Sequence, residues 1–169
     1  MSLENTLVDA EHANAFIIDF GMGLQMPRDE HGRRYMSLPD GRQAKRSYCA
    51  PETFKRKPYD AVKVDVFSAG CMGFMMFTGI PPFDYATRAD PKFKRVVYEG
   101  DIQGYLRDCR MPPLPDEVFD LLRWMMAYNA DDRPLPEEVL EHPWFEPLRE
   151  AQQQETQPPE PPESPPPVP

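Results

Sequence analysis

At 169 residues and 40% hydrophobic content, the chain is long enough for one domain with a core of its own. A formal net charge of −9 argues against a nucleic-acid binder or a binder of anionic membranes. Of the 22 prolines, eight fall among the 13 residues from Gln157 to Pro169, so the tail inflates the total and the body is closer to ordinary composition.

The charge is uneven along the chain. Residues 1–27 carry Glu4, Asp9, Glu11 and Asp19 with no lysine or arginine, whereas residues 28–63 carry ten basic residues against five acids. Cys49, Cys71 and Cys109 lack metal-ligand spacing, and their odd number suits a reducing compartment. The first residues show no signal-peptide pattern, and the apolar patch "CMGFMMF" at 71–77 is too short to span a bilayer. The expectation is a soluble, intracellular (cytoplasmic) chain with no membrane partner.

In chain order, "NTLVD" (5–9) and "AFIID" (15–19) are short β-branched and aromatic runs separated by polar residues, the pattern of a hairpin. Residues 22–49 are rich in Gly, Pro, Arg and Ser without a sustained period. A loop that long usually carries function. "VDVFSAGCMGFMMFT" (64–78) is apolar on every side and predicts a helix buried mid-domain, ended by Gly79 and the Pro81-Pro82 pair. Shorter helices are expected within 91–101, within 115–129, where apolar residues at 118, 121, 122, 125 and 126 share a face, and within 136–145. From about residue 150 the Gln-, Glu- and Pro-rich tail cannot build a core and is expected to be disordered or polyproline-like. The body is therefore mainly α, with a small β-hairpin at its N-terminal end. A hairpin alone is marginal in water and must lie on something.

The run "AFIIDFGMG" (15–23) ends an apolar strand on Asp19-Phe20-Gly21, which by itself is weak evidence of a metal ligand. Order and spacing add weight. Asn5 precedes Asp19 by 14 residues, and "APE" (50–52), "DVFSAG" (65–70), "DDRP" (131–134) and "HPWF" (142–145) follow in turn. This series resembles the C-terminal lobe of the eukaryotic protein kinases over residues 1–149. "SLEN" (2–5) is closest to the serine/threonine form, and "EHPWF" resembles the calmodulin-dependent and related branches.

The resemblance implies ATP and Mg²⁺ as cofactors and a protein substrate or partner. Asp19 and Asn5 match the two Mg²⁺ ligands, and Leu7 matches the apolar residue that lies against the adenine ring. Phe20 would pack inward beneath the site and Gly21 would free the loop to turn. Residues 19–52 become the activation segment. Glu52 and Arg133 match a buried structural ion pair. Asp65 matches the aspartate at the start of the central helix that bonds the catalytic-loop backbone. Trp144 reads as a core anchor, and Tyr48 as a packing residue. Within the segment, Ser37 is the candidate phosphosite, because Arg33, Arg34, Arg42 and Arg46 could pair with a phosphate.

The pattern also breaks. The catalytic-loop series H-R-D-L-x-x-x-N places Met1 at its leucine, so the catalytic aspartate would precede Met1 and no catalytic base lies in the chain. The glycine-rich loop and phosphate-binding lysine would also lie upstream, and the expectation is a C-terminal lobe without its N-terminal lobe, inactive alone. Ser2 stands where the pattern has a lysine that contacts the transferred phosphate. Lys45 stands where many such kinases have Thr or Ser near the substrate. Phe67 replaces a usual Trp, and Met75 replaces a Glu found in kinases that select arginine. The expected function is serine/threonine phosphoryl transfer, with a catalytically dead kinase-like interaction or scaffold module as the alternative. The tail (150–169) has P-x-x-P spacings such as Pro159 to Pro162 that could meet a proline-binding domain. It lacks a basic flank, so a solvated spacer is the preferred reading.

Overall fold

The computed structural model describes residues 1–9, 11, 14–23, 25, 27–32, 35–36, 45–55 and 57–156. A short 3-10 turn, Leu3–Asn5, leads into strand β1 (Thr6–Asp9), which pairs antiparallel with β2 (Asn14–Ile17). The register sets Leu7 opposite Phe16 and Val8 opposite Ala15, and Ile18 N–H donates to the Asn5 carbonyl at 2.8 Å. A two-residue strand, β3 (Tyr35–Met36), lies in the stretch expected to be loop and pairs with β4 (Tyr59–Asp60).

Helix α1 (Ala61–Thr78) is the axis of the domain. It begins three residues earlier than its apolar run because Asp60 caps it, accepting from the backbone N–H of Val62 at 2.9 Å and of Lys63 at 3.4 Å. It ends at Gly79, whose left-handed φ of 71° is cheap only for glycine. Its 18 residues, mean hydropathy 1.3, are long and apolar enough by length and composition to cross a membrane, but half of that window is buried inside the fold. Phe67, Cys71 and Phe74 are fully buried.

Five helices follow. Helix α2 (Pro91–Phe93) widens into a π turn (Lys94–Tyr98), and α3 (Ile102–Asp108), α4 (Asp116–Met125), α5 (Pro136–Glu141) and α6 (Glu146–Thr156) complete the set. Helix α3 escaped the sequence reading because it is barely two turns long and holds Gly104. Its signal was Asp101, whose carboxylate accepts from the Gly104 N–H at 2.9 Å. Asp90 opens α2 by accepting four backbone N–H groups, from Lys92, Phe93, Asp84 and Tyr85, at 2.8–3.1 Å. Burial works against the Asp90 carboxylate, but the four donors outweigh it and its pKa is lowered.

Helices α1 and α4 touch where α1 is thinnest. A Cβ on Gly70 would lie 2.8 Å from Met126 Cγ, and one on Gly73 would lie 2.9 Å from Leu122 Cδ2. Phe83, Phe93, Ile102, Leu106 and Val118 extend the same core. Trp144 is less of an anchor than expected: it packs edge-on against Phe77 at 5.6 Å and stays 38% exposed. The tail also differs from expectation between 150 and 156. Helix α6 runs on to Thr156, because Ala, Gln and Glu are good helix formers and the prolines start only at Pro158. Arg149 ties the helix back by donating to the carbonyls of Leu140 and His142. Residues 157–169 lie outside the described set.

Two charged groups on this frame were expected from the sequence, and they fare differently. Arg133 is 2% exposed and makes a bidentate pair with Glu52, Nη1 to Oε1 at 2.6 Å and Nη2 to Oε2 at 2.9 Å. Its remaining three N–H bonds go to the carbonyls of Ala127, Lys63 and Tyr128, and the guanidinium lies 4.7 Å from the Phe67 ring centroid. All five guanidinium donors are satisfied, the condition a buried arginine has to meet.

Asp65 sits one turn inside α1, and among the described residues no hydrogen bond joins its carboxylate to residues 1–5. Partial desolvation raises its pKa above the ordinary 3.8, while the positive amino terminus pulls the other way. The residue as a whole is exposed, so this desolvation is partial.

Two outcomes are expected. Glu52→Gln leaves the Arg133 charge buried without its counter-charge and should cost about 3 kcal/mol or more in urea unfolding. A loss under about 1 kcal/mol would mean that the pair behaves like a surface bridge. Asp65→Asn should raise stability at pH 7, because a raised native pKa makes the ionised form the costly one. That gain should fade as pH falls through the raised native pKa toward 3.8 and be gone below it, where the native and unfolded carboxyls are both protonated. Equal urea midpoints for variant and parent at pH 7 would contradict it.

Candidate functional site

The open end of the hairpin brings together residues far apart in sequence. Asn5 closes the Leu3–Asn5 turn, and Asp19 lies two residues past the end of β2. Asn5 Nδ2 donates to Asp19 Oδ2 at 3.4 Å across 14 residues. Asp19 takes the left-handed conformation, φ 61° and ψ 70°, and its Oδ1 accepts from the Gly21 N–H at 3.3 Å. A Cβ on Gly21 would lie 3.2 Å from that same oxygen, so the residue after Phe20 has to stay small for the turn to close this tightly. Asp19 is exposed and Asn5 is half-buried, so their side chains meet at the surface.

Leu7 lies two residues on from Asn5 and opposite Phe16; the two are 55% and 54% exposed on one face of the hairpin. The sequence assigned Phe20 an inward position, but it is 72% exposed. The hairpin is a single layer. Val8 and Ile17 are also exposed, so among the described residues no second layer encloses a volume into which Phe20 could turn. Ser37, the candidate phosphosite, lies outside the described residues.

A second set of contacts, which the sequence reading did not anticipate, supports the 2–5 stretch from across the chain. Ser2 is 5% exposed, and Lys45 Nζ donates to its Oγ at 3.3 Å. The same ammonium lies 3.0 Å from Glu4 Oε2. The buried Tyr48 hydroxyl donates to Glu4 at 3.1 Å and accepts the Leu3 N–H at 3.4 Å. The Glu4 carboxyl is held down to about 2, first by its own backbone N–H and then by Lys45 and Tyr48. The signal for this cluster was present in the sequence: Ser2 and Lys45 each carry the kind of residue expected near the other.

Among the described residues no group of three or more His, Cys, Asp or Glu side chains is arranged to hold a metal by itself. Asn5 and Asp19 offer hard oxygen atoms from an amide and a carboxylate. That donor set suits Mg²⁺, which keeps several waters and takes one or two protein oxygens beside substrate phosphates. A cleft of about 460 Å³ lies elsewhere, between Pro51, Phe54 and Lys55 on one side and Tyr85, Arg88 and Tyr128 on the other. No hairpin residue lines it, so it is separate from the oxygen pair.

The family described as "Protein kinase domain" matches residues 1–145. The chain is 31% identical over 157 residues to a candidate serine/threonine-protein kinase of Saccharomyces cerevisiae, covering 93% of this chain and 16% of that protein. It is 32% identical over 144 residues to sperm motility kinase Z of Mus musculus (85% and 26%). It is 28% identical over 144 residues to NUAK family SNF1-like kinase 2 of Homo sapiens (85% and 20%). The chain thus spans about a quarter or less of the length of these relatives. With a matched profile over residues 1–145, a helical body around α1 and a single hairpin at its N-terminal end, the chain belongs to the protein kinase domain family.

Proposed function

We propose that this chain is the part of a serine/threonine protein kinase that holds Mg²⁺ and the phosphates of ATP and carries the activation segment. The observation that supports the reading is the Asn5–Asp19 contact at 3.4 Å, with a left-handed Asp19 presenting its carboxylate at the surface. Mg²⁺, when bound, neutralises phosphate charge and orients the terminal phosphoryl group. The chain's own residues do the positioning. Asp19 and Asn5 supply oxygen ligands, Gly21 lets the Asp19 turn close, and Leu7 presents an apolar face to a flat base. Tyr48 and Glu4 fix the backbone and side chains just ahead of Asn5, which pre-sets its amide.

A second reading, a kinase-like interaction module without transfer activity, draws support from the exposed Leu7, Val8, Phe16, Ile17 and Phe20 around the hairpin. Nucleotide titration separates the two. Under the kinase reading the chain binds ATP in a Mg²⁺-dependent manner, and Asp19→Ala weakens that binding by about tenfold or more, as expected for losing a charged metal ligand. ATP binding unaffected by chelation of Mg²⁺ and by Asp19→Ala would overturn it and leave the interaction module.

A further inference from the structure

Residues 1–27 contain no lysine or arginine, yet this is the stretch that carries Asn5 and Asp19, where a nucleotide's phosphates would gather negative charge. A site for a terminal phosphate needs a fixed cation as well as a metal, because the charge has to be met by groups already in place. Position 2, three residues before Asn5, holds a buried serine. A cation reaches that place from 43 residues further on, with Lys45 Nζ at 3.3 Å from Ser2 Oγ.

We infer that Lys45 contacts the terminal phosphate of a bound nucleoside triphosphate, reaching over Ser2 from the end of the activation segment to do so. The inference rests on the Mg²⁺–nucleotide reading of Asn5 and Asp19 and goes beyond it by naming the cation. Three observations carry it. The Ser2 side chain is short enough to leave room for the lysine end group beside it. Glu4, one residue before Asn5, grips the same ammonium at 3.0 Å and is itself held by the Tyr48 hydroxyl, so the cation is aimed rather than loose. The Lys45 side chain is 49% exposed, so the ammonium is accessible to an incoming anion and keeps a share of its hydration. Lysine suits this role as a compact point charge on a long stem, with two of its three donors engaged by Ser2 and Glu4 and one left for phosphate.

A further consequence follows for the activation segment. Its C-terminal end is anchored by Tyr48, buried at 7% exposure, and by Ser68 Oγ, which donates to the Tyr48 carbonyl at 2.9 Å. The phosphate-contacting cation therefore rides on the segment itself. Displacement of the segment removes the cation, which couples the order of the segment to recognition of the third phosphate.

The test compares Mg-ATP and Mg-ADP titrations of the full chain by calorimetry, with Lys45→Met, Lys45→Arg and the exchange variant Ser2→Lys/Lys45→Thr. The expected result is a preference for Mg-ATP in the parent. Lys45→Met should bind Mg-ATP about tenfold more weakly, the scale of one charge-assisted hydrogen bond in a partly solvated place, while Mg-ADP changes by less than about twofold. Lys45→Arg and the exchange variant should recover the preference. Equal weakening of both nucleotides by Lys45→Met would assign the lysine a purely structural role and overturn the inference, as would no change in either. Parent chain that binds neither nucleotide in the presence of Mg²⁺ would overturn the underlying metal–nucleotide reading, and the inference with it. Unfolding midpoints of each variant, unchanged from the parent, establish that the effects arise in the folded state.

Discussion

The Arg133 guanidinium is the group on which the rest of the structure depends. Buried without water, it would be among the most costly side chains to place, and its five donors are matched by five acceptors drawn from three separate stretches of chain. Glu52 comes from the end of the activation segment, Lys63 from the first turn of α1, and Ala127 and Tyr128 from the turn after α4. The Phe67 ring beneath closes the fifth side. A single misplaced element leaves a buried charge partly unmet, so the pair enforces one arrangement of segments that apolar packing alone would hold less strictly. In this it acts as a specifying contact more than as a source of net stability.

Order then passes outward from that point. With Glu52 fixed on Arg133, residues 45–54 lie against α1, and Ser68 holds the Tyr48 carbonyl from the helix side. The Tyr48 ring is buried, so its hydroxyl has one position from which to accept the Leu3 N–H and donate to Glu4. Leu3 and Glu4 lie within the turn that ends at Asn5, and Asn5 meets Asp19. The oxygen pair at the surface is thus set by a chain of contacts beginning in the core. The glycines at 70 and 73 serve the same end by letting α4, and the turn that follows it, approach the axis closely enough for Ala127 and Tyr128 to reach Arg133.

Much of this was legible in the sequence. The all-round apolar run at 64–78 announces a central helix, Gly79 its end, and the alternating runs at 5–9 and 15–19 the hairpin, because each is a local pattern with a local cause. Glu52 and Arg133 were legible only through the order of motifs, since nothing in local chemistry joins residues 81 positions apart. What escaped the sequence was decided by contacts between segments or by their lack. Phe20 was assigned a buried place by the kinase resemblance, but burial requires a second layer and the hairpin is a single one among the described residues. The Lys45–Ser2–Glu4 cluster was visible only as two unrelated departures, because a residue trade across 43 positions has no period to betray it.

The uneven charge along the chain finds its physical meaning at the hairpin. Asp19 holds a left-handed backbone that costs a non-glycine residue on the order of 1 kcal/mol, and its two supporting bonds, at 3.3 and 3.4 Å, are too long to offset that cost strongly. Asp19 lies in a stretch bare of basic side chains, so its negative potential is not cancelled locally and favours a cation such as Mg²⁺. The compensating ammonium of Lys45 arrives instead from the basic segment and is gripped by Glu4, near Asn5, rather than by Asp19. Under the proposed reading, the lysine does not compete for the Asp19 carboxylate, and the separation of the two charges along the sequence would let metal and phosphate be met by different side chains.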